Sequence, residues 1–236
     1  MKKAIVTGAS SGIGEAIAKR LAAEGFEVYG IGRSFKNSNE KTDEKDKGII
    51  HQIVLDLLDF EKTEKIIKEI DQDEDVYILV NNAGVGFYGL HEQLRAADIM
   101  TMLRTNLELP MLLSNLLLKT IKKNKGYIVN ISSHTATQAN PHGCAYGATK
   151  AGLSSFSKSL FEEERKYGLK VINIEPDMTD TALYRNANFG VDDDIQAYLL
   201  PDEVADAVIY ALGSREGCAI TDIHLQPQIN RIKRSK

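Results

Sequence analysis

Apolar positions fall into two alternating patterns along the chain. Residues 3–7 (K-A-I-V-T) form a short, nearly continuous apolar run that ends at a glycine, as a buried strand does. Ile13, Ile17, Leu21 and Ala22 then recur at helical spacing over 12–24, and Gly25 stands where a helix stops. Residues 28–31 return to a strand. A strand, a helix and a strand within about thirty residues make a βαβ unit, which requires parallel strands. The alternation continues with strand 49–55, helix 60–70 (Ile66, Ile67 and Ile70 inward), strand 76–80 and a helical stretch 92–120 in which Pro110 marks a kink or boundary. Strand 127–131, helix 145–167 stopped at Gly168, strand 169–174, helix 201–212 with proline in its first turn and strand 219–225 complete it.

Right-handed crossovers turn this series into an α/β fold, a doubly wound parallel sheet with helices on both faces, whose ligands bind beyond the carboxyl ends of the strands. No repeat or linker divides the chain, so one domain is expected over 1–236. Residues 34–48 are almost wholly polar and predict a solvated loop, residues 177–200 are mixed and irregular, and the basic tail with Arg231, Lys233, Arg234 and Lys236 is expected to be solvated and frayed.

Composition narrows the class. A length of 236 residues suits one large α/β domain, and 43% hydrophobic with 26% charged residues is ordinary for a soluble protein. A net charge of −4, from 29 basic and 33 acidic residues, gives no general pull toward nucleic acid or an anionic membrane. Cys144 and Cys218 have neither metal-ligand spacing nor a disulfide framework, so a reducing compartment and no metal are expected. No apolar run approaches the ~20 residues of a membrane span. Without a signal-peptide pattern either, the expected location is the cytoplasm.

The first connection is the chain's most informative loop. Gly8-Ala9-Ser10-Ser11-Gly12-Ile13-Gly14 joins a strand to a helix, where glycines let a phosphate approach the backbone and the helix N-terminus offers unpaired N–H groups. This predicts a Rossmann-type nucleotide site. At the end of the second strand, Gly30-Ile31-Gly32-Arg33-Ser34 has no carboxylate for a ribose. The Arg33 guanidinium and the Ser34 hydroxyl suit a 2′-phosphate instead, which favours NADP(H).

Tyr146 and Lys150, four apart, share one side of a helix. A phenol beside an ammonium makes a proton donor and acceptor, because the neighbouring charge favours the phenolate. With Ser133 thirteen residues upstream, Asn81-Asn82-Ala83-Gly84 after the fourth strand, Asp56 after the third, Asn106, and Pro176 followed by Thr181, the chain resembles the short-chain dehydrogenases/reductases over nearly its full length. Pro201-Asp-Glu-Val-Ala-Asp-Ala-Val and a last strand that runs into Leu225-Gln226-Pro227 resemble most the branch of NADP-dependent 3-hydroxy acid and serine dehydrogenases.

The resemblance implies an NADP(H)-dependent oxidoreductase interconverting a carbonyl and a secondary alcohol. Tyr146 would be the acid or base, Lys150 would lower its pKa and bind the nicotinamide ribose, Ser133 would donate to the substrate oxygen, and Asn106 would hold a water. Asp56, with Leu57 beside it, would meet the adenine. Asn82, Ala83 and Gly84 would line the adenosine ribose, and Thr179 and Thr181, after Pro176, would meet the carboxamide. Asp177 stands where the family usually has glycine. The partner would be a small-molecule carbonyl or alcohol, and a homodimer or homotetramer is expected. Two alternatives are an idle NADP(H) sensor and a reductase of carrier-bound 3-oxoacyl chains. Phe87, Tyr88, Leu183 and Tyr184 are candidates for an apolar substrate pocket. Cys144 has no base placed to activate it, and His134 and His142 read as loop residues.

Overall fold

In this computed structural model, which describes residues 1–35 and 48–234, the apolar runs are strands covered on both faces. Every residue of β1 (Lys3–Thr7) and β5 (Tyr127–Ile131) is buried. Ala4 and Val6 face a core shared with Ile17 and Leu21 of α1 (Gly12–Ala23) and Val204 and Val208 of α6 (Pro201–Leu212). Ile5 faces the opposite core, with Leu113 and Leu117 of α4 (Leu109–Lys123) and Leu160 of α5 (Cys144–Glu164). Alternation along the strand feeds both cores, so neither face is polar and the strand reads as one apolar run.

The sheet order is β3 (Ile49–Val54), β2 (Glu27–Gly32), β1, β4 (Val76–Asn81), β5, β6 (Lys170–Pro176) and β8 (Asp222–Leu225), with every neighbouring pair parallel. α2 (Phe60–Ile70) packs Ile67 and Ile70 into the second core. The strand order reverses between β1 and β4, and the crevice beyond their carboxyl ends is where such sheets bind ligands. Both the doubly wound parallel fold and its element order agree with the expectation.

Three expectations are corrected. The stretch 92–120 is not one helix: α3 (Ala96–Leu103) gives way to a π-helical turn, Arg104–Glu108, before α4. Pro110 has no N–H for the ladder and its ring crowds the preceding turn, so it sits in the first turn of α4, just after the widened turn. The last strand is shorter than 219–225, because β6 offers only Asn173–Pro176 to Asp222–Leu225. The tail is not frayed over its described residues. β9 (Lys233–Arg234) pairs antiparallel with β7 (Phe189–Gly190), inside the stretch expected to be irregular. Of the polar stretch 34–48, residues 36–47 lie outside the described residues.

Candidate active site

The glycine loop is shaped by β4. Gly8 has φ +68, and a Cβ there would lie 2.9 Å from Ala83 Cα and from Asn82 Nδ2. Thr7 Oγ1 accepts from the backbone N–H groups of Asn82 and Ala83, both at 3.0 Å, and Asn82 Nδ2 donates to Thr7 O at 2.9 Å. Asn82 thus braces the two strand ends, and together with Ala83 and Gly84 it lines the cleft. Gly14 is buried against Asn82 and Gly8 and is a packing residue rather than a wall of the cleft. Ser11 caps α1 with no side-chain hydrogen bond, and Ser10, Ser11, Gly12 and Ile13 line the cleft. A glycine cradle at an uncapped helix N-terminus fits a pyrophosphate.

Arg33 follows β2, is exposed and lines the same cleft, whereas Ser34 stands outside its wall. Asp56 and the buried Leu57 line the cleft with it, and Asp56 Oδ1 accepts from Leu58 N at 3.1 Å. Among the described residues no carboxylate is paired with Arg33, an arrangement that fits the 2′-phosphate of NADP(H).

Ser133, Tyr146 and Lys150 line the other end of this cleft. Ser133 Oγ accepts from Thr135 N at 3.2 Å and from Thr135 Oγ1 at 3.0 Å, which leaves its own proton to be donated. Tyr146 is 4% exposed, and burial pushes its phenol up to about 12 while the Ser133 hydroxyl pulls the other way. Lys150 Nζ donates to Ile131 O at 2.7 Å and sits 5.9 Å from the Tyr146 ring centroid. Burial brings its ammonium down to about 8. Burial is the larger influence on the Tyr146 phenol and the Ser133 hydroxyl the smaller, opposing one.

Asn106 is fully buried in the π turn. Its Oδ1 accepts from Val85 N at 2.9 Å, and its Nδ2 donates to Val85 O at 2.9 Å and to Thr149 Oγ1 at 3.1 Å. Both side-chain N–H bonds are used, so this side chain fixes Val85 and the first turns of α5. Thr149 in turn donates to Tyr146 O at 2.7 Å.

The connection after β6 closes the cleft. Pro176, Asp177, Thr179, Thr181, Leu183 and Tyr184 line it. Asp177 needs no left-handed backbone, and its carboxylate accepts from Met178 N at 2.8 Å, so it replaces the usual glycine without strain. Thr179 Oγ1 donates to Asp177 O at 2.9 Å. A Cβ at Gly12 would lie 3.0 Å from Thr181 Cγ2, so this loop reaches the glycine cradle. Tyr184 and Phe189 pack against Tyr88, and Tyr88 packs against Tyr146.

A family model described as short chain dehydrogenase matches residues 2–191. The chain belongs to that family. It is 33% identical over 231 residues to a serine 3-dehydrogenase of Agrobacterium fabrum, covering 94% of this chain and 92% of the relative. An oxidoreductase of Staphylococcus epidermidis is 30% identical over 228 residues, covering 96% and 97%. Among solved structures, an alcohol dehydrogenase from the archaeon Thermococcus sibiricus, complexed with 5-hydroxy-NADP, superposes with a TM-score of 0.85 at 26% identity over 98% of both chains. A serine dehydrogenase from Escherichia coli gives 0.80 at 26% identity, covering 95% and 97%.

Within this short-chain dehydrogenase, several contacts lie beyond a reading along the chain. Cys144 Sγ lies 3.4 Å from His91 Nδ1, a neighbour 53 residues away, which corrects the expectation that it has no base nearby; it is exposed and outside the cleft. His134 and His142 are likewise outside the cleft, as is Phe87. Ser132, beside Ser133, contacts Ser154 Oγ at 2.8 Å, and Ser154 donates to the fully buried Glu175 at 2.8 Å. These polar core residues carry no pattern that distinguishes them from surface ones. Among the described residues, no helix is long and apolar enough to cross a membrane, and no His, Cys, Asp and Glu cluster could hold a metal ion.

Proposed function

We propose that this short-chain dehydrogenase is an NADP(H)-dependent oxidoreductase that interconverts a carbonyl and a secondary alcohol. The observation that carries the reading is one continuous cleft, with the glycine cradle and Arg33 at one end and Ser133, Tyr146 and Lys150 at the other. The glycine loop and Ser11 would hold the pyrophosphate, Arg33 the 2′-phosphate, Asp56 the adenine, and Lys150 the nicotinamide ribose. NADPH held there supplies a hydride. Ser133, with its proton free, donates to the carbonyl oxygen and stabilises developing negative charge. Tyr146 passes its proton to that oxygen, and the buried Lys150 one turn on offsets the charge left on the phenolate. Oxidation runs the same proton path in reverse.

Arg185 favours a substrate that carries a carboxylate. It follows Tyr184, is exposed, lines the cleft and has no ion-pair partner among the described residues. A 3-hydroxy acid or serine would suit it, in keeping with the serine dehydrogenases this chain is similar to. Exposed Met100, Leu103, Met111 and Leu112 on α3 and α4 support pairing of two copies. The test is a panel of carbonyls followed by NADPH oxidation, and of hydroxy acids followed by NADP reduction. Tyr146→Phe should lower the rate by about 10²–10⁴-fold. An unchanged rate in that variant would sink the mechanism, and tight NADPH binding with no turnover on any substrate would favour a sensor.

A further inference from the structure

Beyond β8 the chain turns back and runs antiparallel along the substrate loop. Ile229 N donates to Gln196 O at 2.9 Å. Arg231 Nη2 then meets Asp192 Oδ1 at 2.9 Å and Asp194 Oδ2 at 3.2 Å, and Lys233 Nζ meets Asp193 Oδ1 at 2.6 Å. β9 pairs with β7 through Phe189 opposite Arg234 and Gly190 opposite Lys233. Tail and loop thus meet in consistent order from Gln196 to Phe189.

Three consecutive aspartates repel one another, and in this loop each is met by a cation from the tail. Asp192 is held below the usual carboxylate range by Arg231. Asp192 and Asp194 also fold the loop on itself, accepting from Asp194 N and Gln196 N, each at 3.0 Å. Phe189, in the strand paired to the tail, has its ring 5.1 Å from Tyr88, whose ring is 5.5 Å from Tyr146. Only one two-residue strand separates the tail from the aromatic cover over Tyr146.

We propose that residues 226–234 are a strap that sets how far the substrate loop opens, with Arg231 as its principal positioning residue. The proposal rests on the reading of the Tyr146 cleft as the substrate site. The ion pairs are exposed, so each is weak and screened by salt. A strap of that kind releases readily and resets, as a loop that admits substrate in every turnover requires. It touches neither the glycine cradle nor Arg33, so its influence falls on the carbonyl substrate.

The test compares the full chain with a chain ending at Pro227 and with Arg231→Gln and Arg231→Lys. Amide hydrogen exchange over residues 184–194 should be faster in the truncated chain and in Arg231→Gln, and close to native in Arg231→Lys. The KM of the carbonyl substrate should rise about three- to ten-fold on truncation, with the KM of NADPH unchanged. Raising ionic strength should raise the substrate KM of the full chain by more than that of the truncated chain. Equal exchange in the full and truncated chains, or equal salt dependence, would overturn the strap. Because exchange requires no substrate, a chain that turns over no carbonyl would count against the proposed function and leave the strap to be judged on its own data.

Discussion

The ring of Tyr88 lies across that of Tyr146, with centroids 5.5 Å apart and planes at 48°. Tyr146 is 4% exposed, and burial, to which this ring contributes, pushes its phenol up to about 12. Tyr88→Ala should admit water and bring the Tyr146 titration down toward the ordinary phenol value of ~10. Ultraviolet difference titration, with Tyr146→Phe subtracted, reads this directly. Alcohol oxidation needs the phenolate, so its alkaline rise should move to lower pH in the same variant. An unmoved titration would mean that the cover is not what perturbs the phenol.

Lys150→Met should separate function from stability. Below about pH 8, folded and unfolded chains both carry the Lys150 charge, and the burial penalty is fully present. Between about 8 and 10.5 the unfolded chain holds a proton that the folded chain has lost, so this group makes stability rise with pH. At pH 7 the methionine variant should gain on the order of 1–3 kcal/mol, less the lost bond to Ile131 O. The gain should disappear by about pH 10.5 while turnover falls at least ~10²-fold. Denaturant unfolding across pH checks it, and a variant destabilised at pH 7 would refute it.

Arg33→Ala should raise the KM of NADPH by about 10–100-fold, the worth of a charge-assisted pair. The KM of NADH should stay level. Steady-state kinetics with both nucleotides decide this, and an equal loss with both would show that Arg33 does not read the 2′-phosphate.

Glu175 is fully buried at the end of β6. Its Oε1 accepts from Ser154 at 2.8 Å and Asn173 at 2.7 Å. Its Oε2 has no aligned hydrogen-bond donor and lies 2.9 Å from Nδ1 of the half-exposed His224. His224→Phe leaves that oxygen without its imidazole neighbour and should destabilise by about 1–3 kcal/mol. Glu175→Gln in the same chain should recover most of the loss. Chemical denaturation of the two single variants and the double variant measures the coupling, and simple additivity would show that the pair does not interact.

The parts of this fold that could be read along the chain are those set by local periodicity. β1 and α1 are legible because two-sided burial makes a strand uniformly apolar and one-sided burial gives Ile17 and Leu21 helical spacing. The cleft residues between Gly8 and Ile13, and Ser133, are legible because they fall just after a strand, and Tyr146 and Lys150 because they lie four apart on a helix. The features that escape such a reading depend on distant partners. Arg231 and Asp192 are 39 residues apart, so a basic tail and an acidic loop each look like ordinary solvated charge until they are folded together. The spent amide of Asn106 and the closed position of Tyr146 are likewise set by Val85 and Tyr88, which no spacing rule connects to them.

The π turn at Arg104–Glu108 amounts to one residue more than an α-helix needs. Deleting one residue there would let α3 and α4 join in regular register, a gain for the helix taken alone. The widened turn already absorbs the extra residue, so α3 and α4 would keep their relative orientation and only the bulge that carries Asn106 would be lost. Asn106 could not then face Val85 while Leu113 and Leu117 kept their places in the core. A chain shortened by one residue at this point is therefore expected to fold with a more regular helix and a cleft wall that has lost the Asn106 brace on Val85.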